Sequence, residues 1–190
     1  MNNKLIILDR DGTINHDSDA HVKSPDEWQP LPGAIDAIAR LNHAGWHTVI
    51  ATDQSGLGRG LYDAATLNNI HEKLNKALSK AGGRVDAIFF CPHTPEDHCQ
   101  CRKPLPGLFE QIGDRFGVQL SSAHAVGDSL QDAQAAASAG CQTHLVRTGK
   151  SETLTTNTLP AHFPANTRVH ADLNAFVDWL LSSETTEGAH

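Results

Sequence analysis

Leu5-Ile6-Ile7-Leu8-Asp9-Arg10-Asp11-Gly12-Thr13 carries a short apolar run straight into two carboxylates and a glycine. Consecutive apolar residues with polar flanks suit a strand buried on both faces, as in a parallel sheet covered by helices. Similar runs recur at residues 48–51, 87–90, 123–126 and 143–146. Amphipathic stretches lie between them. One opens near Gly33 with Ile35, Ile38 and Leu41 on one face; another follows Asp63, a suitable N-cap, with Leu67, Ile70, Leu74, Ala77 and Ala81 at helical spacing. Further helices are predicted after Pro106, after Ser129 and after Asp172, the last with Phe176, Val177 and Leu180 facing inward. The alternation predicts an α/β fold, a Rossmann-like parallel sheet with helices on both faces.

A chain of 190 residues fits one such domain, expected over residues 1–182, with 183–190 as a frayed tail and 151–164 as a polar surface excursion. Apolar residues make up 39% and charged ones 19%, a balance that suits a globular chain and not a disordered one. The net charge of -7 offers no basic footprint and argues against nucleic acid as a partner. The apolar run at the start is too short for an export signal or a membrane span, so a cytoplasmic, membrane-free setting is expected.

Asp9, Thr52, Cys91 and Gly127-Asp128 all fall at or just beyond the C-terminal end of a predicted strand. In open parallel sheets that edge binds ligands, because helix N-termini point at it. Isolated, an Asp-x-Asp-Gly is most simply a turn with solvated carboxylates. Leaving a buried strand, Asp9 and Asp11 can divide phosphoryl transfer, with Asp9 as the nucleophile and Asp11 as the general acid and base. Thr52 and the glycine-rich turn from Asp53 to Gly60 can offer hydroxyl and N–H groups to phosphate oxygens. In Arg102-Lys103-Pro104, Lys103 suits a transferring phosphoryl group, and the planar fork of Arg102 suits a second phosphate. Asp128 can supply an oxygen to magnesium, with Asp132 nearby as a ligand or acceptor; Asp128 or Ser129 can also cap the next helix.

Three of the four cysteines cluster in Cys91-Pro92-His93-Thr94-Pro95-Glu96-Asp97-His98-Cys99-Gln100-Cys101. Cys91, His93, Cys99 and Cys101 form two chelating halves suited to tetrahedral zinc; a disulfide is disfavoured in a cytoplasmic chain. Four good ligands leave no open position, so this zinc is expected to be structural, pinning the loop that delivers Arg102 and Lys103. Cys141 is expected to be buried.

Asp9-x-Asp11-Gly-Thr, Thr52, Lys103 and Gly127-Asp128, in that order, resemble the four motifs of the haloacid dehalogenase-like (HAD) hydrolases. The resemblance implies an aspartyl-phosphate on Asp9, with magnesium held by Asp9, the backbone carbonyl of Asp11, and Asp128. The cysteine loop followed by Arg-Lys-Pro is similar to that of two HAD subfamilies, the D-glycero-D-manno-heptose 1,7-bisphosphate phosphatases and the histidinol-phosphate phosphatases. The short gap from His93 to Cys99 resembles the histidinol-phosphate group and also short-loop heptose enzymes. The stretches Gln54-Ser55-Gly56, residues 23–28 and Arg102-Lys103-Pro104-Leu105-Pro106-Gly107 resemble the heptose group.

Heptose-group membership implies loss of the C7 phosphate to leave heptose 1-phosphate for nucleotide-activated heptose, a lipopolysaccharide precursor. It also implies Arg102 on the distal phosphate, Asp17 and Asp19 near sugar hydroxyls, and Asp53, Gln54 and Ser55 at the substrate. Asp53 stands where that group usually has Asn. With no room for a large cap domain after Asp11 or Cys91, a compact monomer is expected. The competing readings are the same chemistry on histidinol phosphate, and a zinc-stabilised binding domain without turnover.

Overall fold

The computed structural model describes residues 4–187. Six parallel strands form one sheet in the order β3-β2-β1-β4-β5-β6. They are β1 (Leu5–Leu8), β2 (His47–Asp53), β3 (Ala87–Cys91), β4 (His124–Gly127), β5 (Gln142–Val146) and β6 (Arg168–His170). The helices are α1 (Ala34–His43), α2 (Ser55–Gly58), α3 (Ala64–Lys80), α4 (Gly107–Phe116), α5 (Leu130–Ser138) and α6 (Leu173–Glu187).

The unbroken apolar run of β1 divides between two cores. Ile6 and Leu8 join Ile50, Val126 and Val146 under α1, α3 and α6, while Leu5 and Ile7 join Val49, Ala51 and Ala125 under α4 and α5. Both faces are therefore covered, as the run predicts. Asp63 caps α3, accepting a hydrogen bond from the Thr66 N–H at 2.8 Å. Leu78, not Ala81, completes the buried stripe of that helix, and Ala81 is its C-cap.

The sixth strand was not expected from sequence. Arg168-Val169-His170 is short, at the sheet edge and mostly polar, so no apolar run marks it. What it adds is a histidine. His124 Nδ1 lies 2.9 Å from His144 Nε2, and His144 Nδ1 lies 3.0 Å from His170 Nε2, so a chain of imidazoles crosses three strands. Phe176 and Trp179 of α6 pack against these rings. Burial, reinforced by Arg168, pushes His124 and His170 down to about 4, and His144 falls lower still. Neutral rings, each with one N–H and one lone pair, are what such a chain needs. The last helix runs on through Glu187, past the boundary expected at Ser183; residues 188–190 lie outside the described residues.

The sheet order reverses between β1 and β4, whose C-terminal ends carry Asp9 and Asp128. That is the topological switch point where open α/β sheets bind ligands. No described helix is long and apolar enough to cross a membrane.

Candidate active site

A polar cleft at the switch point is lined by Asp9, Asp11, Asp17, Asp19, Thr52, Asp53, Gln54, Ser55, Arg102, Lys103, Asp128 and Asp132. Every candidate catalytic, substrate and magnesium residue named from the sequence thus lines one cleft, from strand ends and loops far apart in the chain.

Lys103 lies at its floor, 5% exposed. Its ammonium donates to Asp132 Oδ1 (2.7 Å), the Ala51 carbonyl (2.8 Å) and Asp9 Oδ1 (2.9 Å). Burial alone would make Lys103 easier to deprotonate, but Asp132, Asp9 and Asp53 outweigh it and hold the ammonium charged. Burial and the neighbouring Asp132 raise Asp9 well above the usual carboxylate range despite Lys103. Burial and Asp132 likewise push Asp128 up to about 7. Asp9, Asp128 and Asp132 each bring one carboxylate oxygen to within 4.8 Å of the others. Hard oxygen donors crowded beyond what one lysine balances fit a divalent cation such as magnesium.

Two glycines make room for Asp128. Gly12 (φ +82°) and Gly149 (φ +51°) both hold left-handed backbone, and a Cβ on either would collide with the Asp128 carboxylate. The Lys150 N–H donates to Asp128 Oδ2 at 2.7 Å, and the Ser151 hydroxyl donates to its carbonyl. Ser129, not Asp128, caps α5, in a reciprocal box with Asp132.

Asp11 is held by Arg10 and Asn15, which the sequence did not single out, and by Gln54, which it placed at the substrate. Arg10, fully buried, donates to both its oxygens (2.8 and 3.0 Å), Asn15 Nδ2 donates to Oδ1 and Gln54 Nε2 to Oδ2, each at 2.9 Å. Burial would raise Asp11, but Arg10 and the two amides hold it below the usual range. Behind Arg10, the His71 Nε2 lone pair accepts its second amino group at 3.0 Å. Nothing in the spacing marks a mid-helix His71 as the partner of a buried guanidinium sixty residues away.

Thr52 and Asp53 lie inside β2, which is longer than the apolar run suggested. Asp53 accepts a long hydrogen bond (3.4 Å) from the Lys103 N–H, so its carboxylate faces the Arg102-Lys103 turn. Gln54 is buried, with its carboxamide committed to protein partners. Ser55 opens α2, 3.3 Å from His21 Nε2, and His21 holds a left-handed backbone (φ 64°). Asp17 and Asp19 stand at the outer wall.

Cys91, at the end of β3, comes together with His93, Cys99 and Cys101, all four ligand atoms within 4.8 Å of one another. Cys91 Sγ is 3.1 Å from Cys101 Sγ and 3.6 Å from Cys99 Sγ, and His93 Nδ1 is 3.3 Å from Cys101 Sγ. All four cysteines are free of disulfides, and Cys141 is buried. Three thiols and an imidazole so placed fit zinc. The loop also packs on α2, where the Gly58 N–H donates to the Pro92 carbonyl at 3.0 Å.

The family described as HAD-hydrolase-like matches residues 100–175. The chain is 59% identical over 179 residues to D-glycero-β-D-manno-heptose-1,7-bisphosphate 7-phosphatase of Bordetella bronchiseptica, covering 94% of this chain and 98% of that one. The chain belongs to the heptose-1,7-bisphosphate 7-phosphatase family of HAD hydrolases. The Pseudomonas aeruginosa enzyme of the same name is 48% identical, with 95% and 99% covered. A crystal structure of the B. bronchiseptica heptose bisphosphate phosphatase, complexed with magnesium and phosphate, superposes with a TM-score of 0.90 at 57% identity, covering 95% of this chain and 99% of that one. Of the two HAD subfamilies that share the cysteine loop, the heptose phosphatase family is therefore the right one.

Proposed function

We propose that this chain hydrolyses the C7 phosphate of D-glycero-β-D-manno-heptose 1,7-bisphosphate, leaving the 1-phosphate. The observation that carries the chemistry is Asp9 at the cleft floor, ion-paired to a buried Lys103 and facing Asp128. Asp9 attacks phosphorus, and the C7 alkoxide leaves with a proton from Asp11. Asp11 then deprotonates the water that cleaves the aspartyl-phosphate. In its present contacts Asp11 is held ionised, as the base of the second half-reaction must be. An anionic ester alongside opposes the four donors and favours the protonated form that the first half needs. Lys103 and Thr52 hold the non-bridging oxygens. Asp9, Asp128 and the Asp11 carbonyl would hold magnesium, which when bound would supply neutralisation of phosphoryl charge and offset the repulsion among these carboxylates.

The second phosphate has a place to go. Arg102 lines the cleft, and its buried Nη1 has no hydrogen-bond partner among the described residues. A phosphate at the far end of the sugar would satisfy it, with Asp17, Asp19 and Ser55 along the sugar between. Arg102→Ala should raise KM for the bisphosphate about 10–100-fold, the loss of one charge-assisted contact of roughly 1.5–3 kcal/mol. A monophosphate such as histidinol phosphate should hardly feel the change. Phosphate release from the α- and β-bisphosphates and histidinol phosphate, side by side, tests both statements. Preference for histidinol phosphate would overturn the substrate assignment.

Zinc at Cys91, His93, Cys99 and Cys101 is assigned a structural role. Because Arg102 and Lys103 follow Cys101 directly, its removal should lower thermal stability and activity together. Metal analysis should find about one zinc per chain. A zinc-free preparation equally stable and active would refute the assignment. Reduced thiols suit a cytoplasmic enzyme, and the compact single domain, without a cap, is assigned as a monomer.

A further inference from the structure

The Gln54 side chain joins two parts of the reaction that the motifs treat separately. Its Nε2 donates to Asp11 Oδ2 and to Thr52 Oγ1, both at 2.9 Å, and its Oε1 accepts from the Tyr62 hydroxyl at 2.6 Å. The orientation of the amide follows from its partners. Asp11 Oδ2 also accepts from Arg10 Nη2 at 3.0 Å and so faces the amide as an acceptor, which puts the NH₂ towards it and Oε1 towards Tyr62. The Tyr62 hydroxyl is then the donor that closes the arrangement. Because Thr52 Oγ1 accepts from Gln54, its own proton is left for a phosphate oxygen. One carboxamide therefore sets both the acid–base carboxylate and the direction of the phosphate-holding hydroxyl.

We propose that Tyr62, outside every motif, is a positioning residue for phosphoryl transfer: it locks the Gln54 carboxamide, which orients Asp11 and Thr52. Tyr62 is the only tyrosine in the chain and is buried just before α3. Its ring lies where a side chain on Gly56 would have to go, so the ring is held from the α2 side as well. Burial pushes the phenol up to about 12, so it remains a donor throughout the working pH range.

The proposal rests on the roles given above to Asp11 and Thr52, and leaving-group dependence separates it from a merely structural contribution. Tyr62→Phe keeps the ring and removes the hydroxyl. With the sugar bisphosphate, whose alkoxide needs a proton from Asp11, kcat/KM should fall about tenfold, with KM little changed. With p-nitrophenyl phosphate, whose leaving group needs no proton, kcat/KM, which excludes the shared hydrolysis of the aspartyl-phosphate, should fall no more than about threefold, the part owed to Thr52. The ratio of the two rates in one preparation does not depend on the folded fraction, so it decides the matter even if the variant is less stable. In a Gln54→Leu background the further change Tyr62→Phe should have no effect on kcat. Equal proportional losses on both substrates, a wild-type rate on both, or an undiminished Tyr62→Phe effect in the Gln54→Leu background would each overturn the proposal. Should the wild-type enzyme ignore the heptose bisphosphate, the substrate assignment fails by itself. The Tyr62 comparison then runs on any alkyl phosphate that the enzyme does hydrolyse.

Discussion

Asp9→Asn lowers kcat by on the order of 10⁴-fold and, in magnesium-free buffer at neutral pH, makes the protein more stable. The two effects have one cause. Asp9 is buried beside Asp132, Asp128 and Asp11, and burial and these neighbours lift its pKa although Lys103 pulls the other way. A carboxyl whose pKa is higher folded than unfolded holds its proton more tightly in the native state, so its contribution to stability declines as pH rises past the ordinary carboxylate value. Asn keeps the shape and removes that penalty. Lys103 is not stranded, since Asp132 and the Ala51 carbonyl remain within 2.8 Å. Phosphate release and thermal melts, each with and without magnesium, check the prediction. Magnesium should stabilise the wild type more than the variant, because one of its ligands has gone. Turnover retained within tenfold of wild type would remove Asp9 as the nucleophile.

The sheet and the motifs were legible because each rests on a short-range signal. Leu5–Leu8 reads as a buried strand from four adjacent side chains, and Asp63 reads as a cap from its place before a helical stripe. Asp9, Asp128 and the cysteine loop could be placed at one edge because parallel topology puts strand ends together. The groups that brace the site left no such mark. Arg10 sits between two aspartates as any solvated arginine would, and only the fold shows it fully buried against His71. Tyr62 and the imidazole chain of His124, His144 and His170 are contacts between elements, whose register no local pattern encodes. Arg168-Val169-His170 failed to read as a strand for the complementary reason: its burial is supplied by α6 and β5, not by its own composition.

The carboxylate cluster that makes Asp9→Asn stabilising makes the loss of Lys103 severe. Lys103→Met preserves the length of the side chain and removes the only ammonium that contacts Asp9 and Asp132 among the described residues. Breaking a buried pair by removing one partner costs about 3–5 kcal/mol, because the other charge stays behind unbalanced. Loss of a charge aimed at the phosphoryl group should cost about 10²–10³-fold in kcat. The pH dependence separates the two effects. In the wild type, burial would raise Asp132, but Lys103 and Ser129 hold it below the usual range. That lowered pKa contributes stability above the ordinary carboxylate value, and the contribution is lost as pH falls through the folded one. In the variant both carboxylates titrate upward, and protonation relieves them. The stability gap measured by urea denaturation should therefore be widest near neutrality and close as pH falls through the carboxylate range. Magnesium should narrow the gap at neutral pH, since it neutralises the same oxygens, yet leave kcat low. Lys103→Arg should restore some stability and little activity, because a planar fork cannot reach three acceptors gathered around one ammonium. A gap independent of pH would show that the lost packing, and not the lost charge, is what the fold needs from Lys103.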